Sequence, residues 1–120
     1  MEVDLDLRLV SLNTENIKEM TDFYNRLLDE EPDKVEEDRL IEYRFEGVLL
    51  GLYRPSADGM DRDIHHGDNC IPAFRTDDIE SELERISKFA DIVYEKEAGE
   101  HHWFVFEDPD GNRVEVYQSS

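Results

Sequence analysis

Apolar residues alternate with polar ones from Val3 through Leu5 and Leu7 to Leu9, then run on through Val10 and Leu12, which predicts a β-strand over residues 3–13. The apolar phase shifts between Leu9 and Val10, so a bulge is expected there. Asn13-Thr14 offers a helix cap, and Ile17, Met20, Tyr24, Leu27 and Leu28 recur at helical spacing. Glu30-Glu31-Pro32 is the expected stop, because a residue before proline is pushed out of helical space. Leu40 to Glu46 alternates as a strand, Gly47 makes a turn, and Val48 to Tyr53 is apolar enough for a strand buried on both faces.

Residues 55–69 are the only long polar connection, and beyond them the order starts again. Cys70 to Arg75 predicts a strand, and Thr76-Asp77-Asp78 a cap. Ile79, Leu83, Ile86 and Phe89 mark a helix, and Ile92-Val93-Tyr94 a strand. Trp103 to Phe106 and Val114 to Tyr117 are two more strands, joined by Asp108-Pro109-Asp110-Gly111-Asn112, whose residues are strong turn formers. Each half reads strand–helix–strand–strand–strand. The expected fold is therefore α+β: two tandem βαβββ units forming a curved eight-stranded mixed sheet, helices outside and a cup-shaped cavity inside. One domain over residues 1–120 is expected, with repeat one at 1–66 and repeat two at 67–120.

Thirty-two acidic residues stand against thirteen basic ones in a chain of 120, a net charge of −19. Such an imbalance argues for disorder when apolar periodicity is missing; here twelve aromatics and clear periodicity argue for a folded domain with an acidic surface. Only four of the basic residues are lysines (Lys18, Lys34, Lys88 and Lys96). An acid-rich, lysine-poor surface suits a salt-rich, halophilic cytoplasm, where counterions screen self-repulsion, although an acidic protein of an ordinary cell remains an alternative. Binding to nucleic acid and to anionic membranes is disfavoured, since both need a positive surface. The acidic start and the absence of a long apolar run suggest a cytoplasmic protein with no membrane span. Cys70 is the sole cysteine, which excludes an internal disulfide. With no neighbouring positive charge, it reads as a small buried apolar group.

Three segments carry a resemblance. Asn13 to Ile17 leading into Phe23-Tyr24-Asn25-Arg26-Leu27-Leu28 is the first, and Ala73-Phe74-Arg75-Thr76-Asp77-Asp78-Ile79 the second. Phe106-Glu107-Asp108-Pro109-Asp110-Gly111-Asn112-Arg113-Val114-Glu115-Val116-Tyr117-Gln118 is the third and most specific. Together they resemble the glyoxalase / bleomycin-resistance / dioxygenase group, the vicinal-oxygen-chelate superfamily. The resemblance implies four metal-ligand positions, which fall on Leu9, Gly51, Ile71 and Glu115. Three of these carry no side-chain donor, and one carboxylate does not hold a catalytic divalent ion. A one-residue slip would move Leu9 to Arg8 or Val10 and Ile71 to Cys70 or Pro72, adding only Cys70 as a ligand.

Remaining candidates are weighed by alternation. Val114 and Val116 are the buried phase of the last strand, so Arg113, Glu115 and Tyr117 share the face turned to the expected cup. Glu115 either binds a ligand's polar group or acts as a base, or else it pairs structurally with Arg113 or Arg75. Ser11 and Asn13 share the cup face of the first strand, Arg75 joins the lining, and Tyr53, Trp103 and Tyr117 supply stacking walls. Neither His65-His66 nor His101-His102 can chelate as a pair in extended chain, because neighbours point to opposite faces. The first pair reads as part of a solvated loop beside Asp61, Asp63 and Asp68. The acidic runs Glu36-Glu37-Asp38 and Asp58 to Asp68 lack the spacing of a calcium loop and read as solvated faces.

The expected function is a small-molecule-binding protein of that type, with Glu115 as the candidate catalytic group and Ser11, Asn13, Tyr53, Arg75, Trp103 and Tyr117 as ligand-binding residues. No metal or other cofactor is assigned. The rival is a divalent-metal-dependent lyase, isomerase or dioxygenase using Glu115 and one of His101 or His102; a purely structural or protein-interaction module is a third class. The resemblance also implies a homodimer, with Val3-Leu5-Leu7-Leu9 as a pairing edge.

Overall fold

Alternation and helical periodicity both materialise in the computed structural model, which describes residues 6–60, 64–67 and 70–119. The chain divides into two units, Met1–Ile64 and His65–Ser120. The first runs β1 (Leu9–Asn13), α1 (Ile17–Leu28), β2 (Lys34–Glu36), β3 (Leu40–Phe45) and β4 (Val48–Tyr53). The second runs β5 (Ala73–Arg75), α2 (Ile79–Ile86), β6 (Ile92–Ala98), β7 (His101–Glu107) and β8 (Arg113–Ser119). The tandem βαβββ order is as expected. Its strands hydrogen-bond as two four-stranded mixed sheets, ordered β1-β4-β3-β2 and β5-β8-β7-β6.

In each sheet the first strand lies parallel to the last and the other neighbours are antiparallel. The helix follows the first strand directly and packs on the two central strands of its own sheet. Ile17, Met20, Tyr24 and Leu27 of α1 are buried, as are Leu12, Ile41, Tyr43, Leu50 and Leu52 of the sheet beneath. In the second unit Ile79 and Ile86 are buried together with Phe104, Phe106, Val114 and Val116. Each such side chain withdrawn from water contributes about 1.5–3 kcal/mol before entropy is counted. The Tyr43 hydroxyl donates to Asn25 Oδ1 at 2.8 Å inside this layer, and burial pushes its pKa up.

The strand-to-helix junction is built the same way twice. Thr14 N donates to Tyr53 O and Thr76 N to Tyr117 O, both at 2.9 Å, extending the parallel pairing by one rung. The Thr14 hydroxyl accepts from Asn16 N and the Thr76 hydroxyl from Asp78 N, turning the chain into the helix. Asp78 then caps α2 through Ser81 N, within the expected Thr76-Asp77-Asp78 segment. The cap of α1 differs from expectation: Asn13 belongs to β1, and Asn16 holds the cap position without a side-chain cap bond. Nor does Pro32 end that helix. Asp29 takes a left-handed conformation and returns its N–H to Asn25 O, three residues before the proline.

Other boundaries are corrected as well. The β1–β4 register is unbroken from Leu9↔Leu49 to Asn13↔Tyr53, so no bulge separates Leu9 from Val10; a register shift lies instead in β6, between Ile92 and Tyr94. The predicted strand residues Val3 and Leu5 lie outside the described residues. In β4 only Leu50, Gly51 and Leu52 are buried, and Val48, Leu49 and Tyr53 are half-buried. The second repeat's first strand begins at Ala73, and Cys70 ahead of it is exposed, not buried as expected. Within the polar connection, Pro55–Asp58 forms a 3-10 turn. Strand β2 carried no signal, because Lys34-Val35-Glu36 offers a single apolar side chain.

The β7–β8 turn is held by a buried carboxylate. Asp108 Oδ1 accepts from Asp110 N at 3.0 Å and Asn112 N at 2.9 Å, and Oδ2 accepts from Asn112 Nδ2 at 2.9 Å. Gly111, at φ +86°, supplies the left-handed step that closes the turn. We expect Asp108→Ala to lower unfolding free energy by about 2 kcal/mol or more, since it strands buried donors. Urea denaturation of the two chains at equal salt checks this, and an unchanged midpoint contradicts it.

Candidate functional site

A sheet covered by one helix has its apolar residues on the helix side, and every second side chain points the other way. In the second unit that other face carries Ala73 and Arg75 of β5, Glu115 and Tyr117 of β8, and Val105, Trp103 and His101 of β7. Register makes rungs of them: Ala73–Glu115–Val105, then Arg75–Tyr117–Trp103, then Ser119–His101. A concavity of about 340 Å³ lies here, lined by Ala98, His101, His102, Trp103, Glu115, Tyr117 and Gln118. Three residues singled out in the sequence, Trp103, Glu115 and Tyr117, are therefore brought together.

Glu115 is half-buried, and its carboxylate takes no hydrogen bond or ion pair from the described residues. The two arginines considered as structural partners are engaged elsewhere. Arg75 Nη1 donates to Asp77 Oδ1 at 2.5 Å, and Arg113 Nε lies 3.9 Å from Glu107 Oε2. The Asp77 carboxylate beside Arg75 raises the guanidinium pKa further. The histidines divide as alternation demands. His101 shares the face of Glu115, two rungs away, with its Nδ1 3.0 Å from Ser119 Oγ. His102 points to the helix side, where Nε2 lies 2.7 Å from Glu95 and Nδ1 lies 3.5 Å from Glu97 and 3.9 Å from Glu80 of α2.

In the first unit the corresponding face holds Ser11, Asn13 and Tyr53. Its rungs are Ser11–Gly51–Glu42 and Asn13–Tyr53–Leu40. The Tyr53 hydroxyl donates to Asp58 Oδ2 at 2.5 Å, Arg39 Nε donates to Asp58 Oδ1 at 2.8 Å, and the guanidinium carbon sits 5.8 Å from the Tyr53 ring centre. Tyr53 is thus built into an ion-pair cluster on the strand end. A larger groove of about 490 Å³ at the start of α1, edged by Glu15, Lys18, Asp22, Asp38 and Arg54, contains none of the candidate catalytic or ligand-binding residues.

The sequence model of the Glyoxalase/Bleomycin resistance protein/Dioxygenase superfamily matches residues 7–116. The chain belongs to this superfamily. Solved structures share the glyoxalase-type fold at low identity. A glyoxalase / bleomycin resistance protein from Catenulispora acidiphila DSM 44928 superimposes with a TM-score of 0.74 at 15% identity, covering 97% of this chain and 100% of its own. A lactoylglutathione lyase from Agrobacterium tumefaciens gives 0.77 at 16%, covering 93% and 92%. A glyoxalase/bleomycin resistance protein/dioxygenase family enzyme from Burkholderia phytofirmans PsJN gives 0.75 at 15%, covering 97% and 100%. No curated protein matches the sequence significantly.

Superfamily metal centres can be tested against the side chains present. At the four implied positions this chain offers Leu9, Gly51, Ile71 and Glu115. Gly51 is crowded by hydrocarbon: a Cβ placed on it would stand 3.2 Å from Leu9 Cδ1. Ile71 is a partly exposed aliphatic. Among the described residues no three His, Cys, Asp or Glu side chains gather to hold an ion. The donor set does not fit the superfamily's metal.

Register also shows what the sequence reading missed. The parallel pairs Ser11↔Gly51 and Ala73↔Glu115 are equivalent steps of the two repeats, so Gly51 occupies the place that Glu115 holds in repeat two. On the next strand Glu42 lies beside Gly51, where repeat two has Val105 beside Glu115. Each repeat keeps one half-buried carboxylate on this rung, on different strands. Glu42 was visible as a polar residue between Ile41 and Tyr43, but only pairing aligns it with Gly51. The first histidine pair is also clarified: His66 Nδ1 lies 3.2 Å from Asn112 Oδ1 and braces the β7–β8 turn, while Asp61, Asp63 and Asp68 lie outside the described residues.

The Asp58 cluster sets a pH dependence. Hydrogen bonds from Arg39 and Tyr53 hold the Asp58 carboxyl below its ordinary 3.8. A depressed folded-state pKa stabilises above the unfolded value and loses that contribution as pH falls through the folded one. Wild type should therefore exceed Asp58→Asn in urea midpoint by a constant margin above about pH 5, and the margin should close below 3.8. A margin that stays level down to about pH 2 contradicts this.

Proposed function

We propose that this superfamily member is a small-molecule-binding protein that works without the usual divalent metal, its ligand seated over Trp103 and Tyr117 with one polar end at Glu115. The observation that carries the reading is the half-buried Glu115 carboxylate, which no described residue pairs, in a concavity of about 340 Å³ with aromatic walls. That size is within the range of small-ligand sites, and a carboxylate kept partly out of water gains most from a donor that the ligand brings. If the protein is catalytic, Glu115 is the group placed to take a proton from bound substrate.

Metal-dependent chemistry through Glu115 and a histidine finds little support. His102 faces away from Glu115, and the Trp103–Tyr117 rung separates His101 from it. Arg75 shares the rung of Tyr117, but its guanidinium is paired with Asp77. Ser11 and Asn13 belong to the proposal as polar groups on the equivalent face of the first sheet. Pairing of two copies is supported by the exposed Leu7 and Leu9 at the β1 edge, 76% and 46% accessible. A net charge of −19 with four lysines supports a salt-rich cytoplasmic setting and argues against nucleic acid and anionic membranes as partners. Among the described residues no helix is long and apolar enough to cross a membrane.

Purified protein dialysed against a mixture of divalent metals should retain far less than one ion per chain. About one ion per chain that is lost on Glu115→Gln overturns the metal-free reading. Trp103 is the sole tryptophan, so its emission reports entry of a ligand into the concavity. A small-molecule panel should give a saturable change that Glu115→Gln weakens by about tenfold. No saturable change across the panel overturns the binding reading.

A further inference from the structure

His101 lines the same concavity as Glu115, from its other end. Each sits on its own rung, and the Trp103–Tyr117 rung lies between them. Val105, opposite Glu115, is four steps along β7 from His101, about 13 Å of strand. The two groups therefore do not meet around one ion or one atom. They bracket an aromatic floor. A carboxylate at one end accepts hydrogen bonds. The imidazole at the other end has Nδ1 occupied by the Ser119 hydroxyl at 3.0 Å. Nε2 is the ring nitrogen left to a ligand, and in the tautomer whose Nδ1 accepts from the Ser119 hydroxyl it carries the proton and donates.

From this arrangement we infer that the ligand is a planar, aromatic-sized molecule with a cationic or other strongly donating group at one end, bound by Glu115, and a neutral acceptor such as a carbonyl at the other, bound by His101. The inference rests on the small-molecule reading above and gives it a ligand class. The polarity of the ligand follows from charge as well as from geometry. A chain carrying −19 repels anions at long range and attracts cations, so a carboxylate or phosphate at the His101 end is disfavoured while a carbonyl is not. The planar middle follows from Trp103 and Tyr117, which pair across β7 and β8 and both line the concavity, since aromatic side chains favour a flat partner. His101 is thereby a specificity residue, one that decides which end of the ligand points where.

Three probes separate the parts: 4-(aminomethyl)benzamide, which carries both ends, benzylamine, which carries only the cation, and 4-methylbenzamide, which carries only the acceptor. Each is titrated into the full chain in about 1 M salt, to screen non-specific attraction of cations to the acidic surface, and followed by backbone amide shifts. The two-ended probe should bind at least about tenfold tighter than either single-ended one. His101→Ala should bring it down to the level of benzylamine, and His101→Gln, which restores an N–H donor, should recover part of the loss. Glu115→Gln should bring it down to the level of 4-methylbenzamide.

Saturable shifts at Trp103 and Tyr117 with all three probes at equal affinity overturn the two-ended ligand and leave the binding reading standing. Insensitivity of the two-ended probe to both His101→Ala and Glu115→Gln overturns it as well. Absence of any saturable shift at Trp103 and Tyr117 fails the binding reading itself, and the ligand class with it.

Discussion

One helix serves each four-stranded sheet, and one helix dries only one face. Side chains of a strand alternate, so half of every strand is committed to the helix layer and the other half is excluded from it. The rest of the structure depends on that division. Met20, Tyr24, Phe104 and Phe106 are fully buried on the helix side. The opposite face keeps the half-buried Glu115, Tyr117 and Trp103 beside the fully buried Val105. The site is thus a by-product of the fold's economy: the face that is not needed for the core is the face where polar chemistry is tolerated.

Duplication makes the division useful. Each repeat sets its first strand parallel to its last, and each uses the same threonine turn to enter its helix. With the frames equal, differences between repeats stand out as local changes. The carboxylate rung has moved by one strand between them, from Glu115 beside Val105 to Glu42 beside Gly51. A carboxylate moved by a strand shifts laterally by nearly 5 Å.

Charge decorates the fold more than it holds it. Arg39 with Asp58, Arg54 with Asp38, Arg75 with Asp77 and Arg85 with Glu82 all form ion pairs at partly or largely exposed sites. Exposed pairs of this kind contribute between nothing and about 1 kcal/mol each. Many of the arginines are occupied in this way, which leaves the acidic excess uncompensated over the surface. The apolar layers and the buried Asp108 turn carry the stability, and of these pairs only Arg75 with Asp77 lies on the face of Glu115.

Much was legible in the sequence because it is local. The apolar spacing of Ile17, Met20, Tyr24 and Leu27 is a property of one helix, and the turn chemistry of Asp108 to Asn112 is a property of five residues, so both could be read without knowing any partner. The repeated βαβββ order follows from such local signals taken in sequence, as does the placing of Glu115 and Tyr117 on one face. What only the tertiary structure decided is pairing. A strand of three residues with one apolar side chain, Lys34–Glu36, exists because β3 binds it. The neighbours of Glu42 and Gly51, the different partners of His101 and His102 and the exposure of Cys70 all depend on which backbones lie side by side. Hydrogen-bond register is set between segments distant in sequence, and no single segment contains it.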